Sequence, residues 1–194
     1  MADNEIARYI ADLSHPDSAK RAAAGRSLHS TALNQCFAGS NDWIRDPAFL
    51  ELACPRRHPS FVVGVAVHPT TFHAIRTANG NPRLCDVPPD QDAIEFELHF
   101  GAARNLDILT SRDPSGFGAI ARYLAKFGEG IQQIEVYVTD IDRATELLRT
   151  RFALDSIYPT TRAGADTTRV NFFLVPIASG RKFLVELVEG PRSD

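Results

Sequence analysis

The side chains of this sequence best suited to chemistry are isolated polar groups set at alternating positions in apolar runs. In IQQIEVYV (131–138), a two-residue period puts Gln133, Glu135 and Tyr137 on one face with Ile131, and Gln132, Ile134, Val136 and Val138 on the other. In KFLVELVE (182–189), Glu186 stands between Leu184 and Val188 on one face, opposed by Phe183, Val185 and Leu187. In RNLDILT (104–110), Asp107 shares a face with Asn105 and Leu109, opposed by Leu106 and Ile108. AIEFELHF (93–100) aligns Glu95, Glu97 and His99 if Ile94, Phe96, Leu98 and Phe100 turn to the core. FVVGVAV (61–67) has a bulky face of Phe61, Val63, Val65 and Val67 and a slim one of Val62, Gly64 and Ala66.

Carboxylates held among apolar neighbours can act as general acids or bases, and with an amide oxygen they can supply oxygen ligands to a hard divalent cation. Two readings stay open for these faces. They meet water, where acidic side chains are unremarkable, or they line a partly closed cavity with few, placed polar groups. His99 beside Glu97, with Asp107 in reach across a hairpin, is an acid–base cluster on one reading and a solvated hairpin on the other. His68 and His73 fall just past a strand and on a helix, and are expected at the surface.

The elements that must position these residues follow from periodicity and turn residues. EIARYIADL, the alanine-rich stretch after SHPDS, and DWIRDPAFLELA read as helices, and no strand is expected before residue 58. ACPRRHPS (53–60) reads as a linker, because Pro55 and Pro59 both interrupt regular structure. From Phe61 the pattern is strand, helix (PTTFHAIRTANG), then a hairpin, with the proline-rich CDVPPDQD as a short edge strand or loop. A helix from DPSGFGAIARYLAKFGEG links to a second round: strand 131–138, helix DIDRATELLRTRF, and strands TRVNFFLVP and KFLVELVE. The expected organisation is a helical extension over 1–58 and an α+β domain over 59–194. Within that domain, module one spans about 61–111, a linking helix about 115–127, and module two about 130–189.

Composition sets outer bounds. A chain of 194 residues that is 44% hydrophobic and 23% charged can bury a core without staples. A net charge of -3 offers no basic face for nucleic acid or for an anionic membrane. No apolar run approaches the roughly 20 residues of a membrane span, and the first 21 residues lack a signal peptide's apolar stretch. Cys36, Cys54 and Cys85 are odd in number, widely spaced and without a CxxC, which suits a reducing compartment. A cytoplasmic protein is expected.

IARYLAKFGEGIQQIEVYVTDIDRATELL, followed by RAGADTTRVNFFLVP and FLVELVE, resembles the vicinal-oxygen-chelate superfamily of glyoxalases, bleomycin-resistance proteins and dioxygenases. Within it the likeness is to methylmalonyl-CoA epimerase-like proteins. The GEG turn, the D-I-x-x-A helix start, the RVxF strand and the final VELVE occur in the family's order. The resemblance is good from about 117 to 189, weaker from 61 to 116, and does not cover the first 58 residues. It implies an α+β fold of paired βαβββ modules, glyoxalase-like, whose sheets wrap a cavity.

The family's enzymes hold a divalent metal with one residue near the start and one near the end of each module. The positions matching these are Val62 and Gln133, then Asp107 and Glu186. Val62 has no lone pair to offer, and Gln133 supplies only a neutral carbonyl oxygen, although glutamine serves as a ligand in some proteins resembling glyoxalase I. No imidazole stands at any matched position. The resemblance therefore supports two functions. One is a glyoxalase-like protein with a degenerate metal site and no cofactor, binding a small organic molecule in a cavity lined by Val62, Gly64, Glu135 and Tyr137. The other is a divalent-metal-dependent isomerase or lyase that abstracts a proton next to a carbonyl. In it Gln133, Asp107 and Glu186 are oxygen ligands to the metal, with Glu186 and Asp107 as ligands or bases, whereas the metal-free protein would draw any acid–base chemistry from Glu97, His99, Glu135 and Glu186. Partners are a small-molecule ligand or substrate, with no nucleic acid and no membrane. The helical extension could cap a sheet, cover the cavity or build a homodimer.

Overall fold

The computed structural model describes residues 2–37, 42–53, 61–101, 104–177 and 182–190. Residues 54–60 of the expected linker lie outside them. The chain forms two compact units, Met1–Ala32 with Val62–Gln132, and Leu33–Phe61 with Gln133–Asp194.

In the first unit, β1 (Phe61–Ala66) runs parallel to β3 (Asn105–Thr110), and β2 (Ile94–His99) is antiparallel to β3, so the strand order is β2-β3-β1. A parallel pair needs a crossover, which α4 (Pro69–Ala78) supplies after a proline at its first turn. Val63, Val65, Phe96, Leu98, Leu106 and Ile108 are buried together with Phe72 and Ile75 of α4. The rings of Phe72 and Phe96 meet edge to face at 4.8 Å.

α1 (Ala2–Asp12) and α2 (Ser18–Phe37) precede these strands. Asp17 caps α2, its Oδ1 accepting from the Ala19 amide at 2.8 Å. Ile6, Ile10, Leu13 and Leu28 are buried. Asn79, at the end of α4, donates to the Leu13 carbonyl at 2.9 Å and accepts from Arg21 Nε at 3.2 Å. Arg21 Nη1 also donates to the His15 and Pro16 carbonyls at 2.8 and 2.9 Å. The N-terminal helices are thereby fastened to the module.

The second unit repeats the plan. β4 (Gly130–Tyr137) is parallel to β7 (Lys182–Glu189) across α6 (Ile141–Phe152). β6 (Arg169–Pro176) is antiparallel to β7, and the two-residue β5 (Arg162–Ala163) pairs with β6, giving β4-β7-β6-β5. Ile134, Val136, Phe173, Val175, Val185 and Leu187 are buried with Ile141, Ala144 and Leu148 of α6. Asp140 caps that helix through a 2.9 Å bond from the Arg143 amide, and buried Glu189 accepts from the Ile141 amide at 2.8 Å.

A 3-10 turn (Asp42–Arg45) and α3 (Pro47–Ala53) complete this unit. Asp46 Oδ1 accepts from the Ala48 and Phe49 amides at 2.9 and 3.1 Å and from Arg151 Nη1 of α6 at 3.0 Å. The Leu52 carbonyl accepts from the Thr139 amide at 3.0 Å. Trp43 and Phe49 are buried with ring centroids 5.0 Å apart.

Both modules thus pair their first strand in parallel with their last, as the α+β, glyoxalase-like expectation requires. They differ in what precedes the last hairpin. Residues 81–89 of the first module form no strand, and Pro82, Pro88 and Pro89 deny that stretch ladder donors. One backbone bond, from Cys85 N to the Glu95 carbonyl at 2.9 Å, marks where the edge strand would lie. The linking helix α5 (Ala119–Phe127) begins after the expected residue 115, because Gly116 and Gly118 hold the preceding turn. Asp92 organises that turn, accepting from the Ser111 hydroxyl at 2.7 Å and the Ala121 amide at 3.1 Å.

Candidate functional site

The polar faces of the two units are built by the same register rule and end up in different environments. In the second unit, Glu135 lies opposite Glu186, and Gln133 opposite Leu184, across the parallel β4–β7 pair. Beyond β7, Phe172 lies opposite Glu186 and Leu174 opposite Leu184 on β6. One face therefore carries the rows Gln133–Leu184–Leu174, Glu135–Glu186–Phe172 and Tyr137–Val188–Val170.

Gln133, Glu135 and Glu186 retain only 5%, 7% and 9% of their exposure, so this face is not a solvated one. Two carboxylates directly opposite each other repel, and burial strengthens the repulsion. Gln133 answers it by donating its side-chain amide to Glu186 Oε2 at 2.6 Å and Glu135 Oε1 at 3.3 Å. Tyr137 is half-buried in the third row. On the outer strand the face becomes apolar and open: Leu174 is 45% exposed, and the Tyr158 ring stands edge-on to Phe172 at 6.0 Å.

In the first unit, Gly64 lies opposite Asp107, which lies opposite Glu97 on its other side. Asp107 is buried at 5% exposure and Val62 at 1%. Glu97 and His99 open outwards: His99 Nε2 stands 3.6 Å from Glu97 Oε2, with side chains 62% and 34% exposed. The register thus brings Glu97 beside Asp107, but His99 extends to solvent, where such a pair contributes little. His68 and His73 are exposed, as expected.

Val62 and Asp107 belong to the first unit, Gln133 and Glu186 to the second. Among the described residues, no three His, Cys, Asp or Glu side chains converge to hold a metal ion. The donor set fits a metal poorly on its own chemistry. A valine cannot ligate, and the Gln133 group facing Glu186 is an N–H donor, not the carbonyl oxygen a cation needs. The residue whose part was least apparent in the sequence is Glu135. Alternation placed it on the polar face, but only the register of β7 set it against Glu186. No helix among the described residues is long and apolar enough to cross a membrane.

A mixed sheet in which each module's first strand joins its last, with one crossover helix apiece, is the architecture of glyoxalase-like epimerases. The methylmalonyl-CoA epimerase of Mycobacterium tuberculosis shares it with a TM-score of 0.55 and 31% identity, over 68% of this chain and 87% of that one. The chain belongs to the methylmalonyl-CoA epimerase family. The Streptomyces coelicolor methylmalonyl-CoA epimerase, solved in complex with 2-nitronate-propionyl-CoA, is 24% identical with a TM-score of 0.54, over 68% of this chain and 96% of that one. A methylmalonyl-CoA epimerase solved with methylmalonyl-CoA and an ammonium ion is 25% identical with a TM-score of 0.53, over 66% and 92%. No protein-family model matches the chain, and no curated protein matches it by sequence.

Proposed function

We propose that this protein is a metal-independent member of its family that binds a small organic molecule on the polar face of its second unit. The observation that carries this reading is the 2.6 Å bond from the Gln133 amide to Glu186. It turns an N–H donor, not a ligand oxygen, from one second-unit position that matches the family's metal ligands towards the other. Polar contact would come from half-buried Tyr137, and apolar contact from Phe172 and Leu174 on the same face. Calorimetry with methylmalonyl-CoA and 2-nitronate-propionyl-CoA as probes tests it. Binding of either probe should be equal in EDTA and in manganese. Binding that disappears in EDTA and returns with a divalent metal would overturn it.

The second reading is a divalent-metal-dependent epimerase or lyase. It is favoured by the fold shared with a methylmalonyl-CoA epimerase at 31% identity. Its distinguishing step is proton abstraction next to a carbonyl, with Glu186 or Asp107 as base. Incubation with methylmalonyl-CoA in heavy water separates the two. Deuterium uptake at the carbon between the two carbonyl groups, dependent on added metal, would establish the second reading and displace the first.

A further inference from the structure

We infer that the Gln133 side chain is an internal replacement for a cation, and that Glu135 is the residue that holds it in that role. This inference rests on the metal-independent reading and adds the device by which the position is closed. A primary amide has two N–H bonds on one end and a carbonyl oxygen on the other. In this structure Nε2 reaches Glu186 at 2.6 Å and Glu135 at 3.3 Å, so the amide end faces both carboxylates. For Gln133 and Glu186 to share a metal ion, the amide would have to turn over and present its oxygen. That turn breaks two bonds to charged acceptors and sets a carbonyl dipole against two carboxylates. With Glu186 alone, the turn would forfeit one bond. Glu135, supplied by the two-residue strand period and the β4–β7 register, makes it forfeit both. All three side chains are at least nine-tenths buried, which leaves water little room to take over.

Glu135 is therefore a positioning residue, acting through Gln133 on Glu186. Side-chain amide NMR of the full chain reads this directly, with the Gln133 resonances assigned by their loss in Gln133→Met. In the wild type both amide protons should exchange slowly with solvent and keep their shifts when zinc or cobalt is added. In Glu135→Gln they should move upfield and exchange at least tenfold faster. Gln133→Glu offers a second line, since it replaces the amide donor with a carboxylate and gives a cation three oxygen-bearing side chains to bind. Its thermal midpoint should rise by several degrees in manganese or zinc, or its folding should require the metal, while the wild type stays unchanged. Wild-type resonances shifted by zinc or cobalt would overturn both the clamp and the metal-independent reading. Resonances indifferent to Glu135→Gln, or a Gln133→Glu variant indifferent to cations, would overturn the clamp alone and leave metal-independent ligand binding standing.

Discussion

The two units are built on one plan and use it differently. Each pairs its first strand in parallel with its last, and each register sets an acidic residue of the last strand against a neighbour: Gly64 opposite Asp107, Glu135 opposite Glu186. In the first unit the strand-start position is a buried valine, the facing residue is glycine, and the polar residues of β2 open outwards. In the second, glutamine and a second carboxylate take those places, and Gln133, Glu135 and Glu186 are all buried. A shared topology thus fixes where side chains project, while two differences along the first strand decide whether the buried carboxylate of the last strand faces glycine or a polar network. Strand length contributes too, because β4, β6 and β7 run eight residues where β1, β2 and β3 run six.

The contrast can be broken most sharply at the cysteines. Cys36, in the second unit, is buried, and that burial pushes its thiol from 9.0 up to about 12. Its thiolate at pH 8 should be about a thousandfold scarcer in the folded chain than in the unfolded one. Because the folded value is the raised one, any contribution to stability is intact below pH 9.0 and lost as the pH climbs towards 12. Iodoacetamide labelling read peptide by peptide should modify half-exposed Cys85 of the first unit in the native protein, and Cys36 only after unfolding. Native-state labelling of Cys36 at a rate like that of Cys85 would contradict the burial.

Removing the buried donor comes next. Gln133→Leu leaves two carboxylates facing each other without their amide, and should cost about 3 kcal/mol at neutral pH. Val62→Ala in the first unit removes only apolar burial, and should cost about 2 kcal/mol. Urea unfolding measures both. The loss at Gln133 should exceed the loss at Val62, since only the first removes a buried donor.

The N-terminal residues sharpen the comparison further, because each unit fastens its share differently. Asp46→Ala loses a helix cap and the bond from Arg151, and should cost about 2 kcal/mol. Asn79→Ala loses the bond to the Leu13 carbonyl and the one from Arg21, and should cost about 1 kcal/mol. The smallest effect belongs to His99→Ala, below about 0.5 kcal/mol, since its pairing with Glu97 is long and exposed. A larger loss there, measured in the same urea series, would mean that the hairpin is not the solvated edge its exposure indicates.

Much of this protein was determined by its sequence alone. Two-residue alternation assigned Gln133, Glu135, Tyr137, Asp107 and Glu186 to their faces, because successive side chains of a strand must point to opposite sides. Glycine and proline punctuation marked the starts of strands β1 and β4, while the proline-rich CDVPPDQD left a short edge strand or a loop open, and the structure shows a loop. The absence of imidazole at the matched positions was likewise legible from residue types. Three things were decided only by tertiary structure. Strand alternation says nothing about which face meets water, and only packing buried Gln133, Glu135 and Glu186 while leaving Glu97 and His99 open. It says nothing about register between strands distant in sequence, so the opposition of Glu135 and Glu186 could not be read. Nor could the division of the N-terminal helical residues between two units, Met1–Ala32 and Leu33–Phe61, be read from helical periodicity. Periodicity is a property of neighbours along the chain, and the partners of a buried amide are chosen by residues that folding brings in from elsewhere.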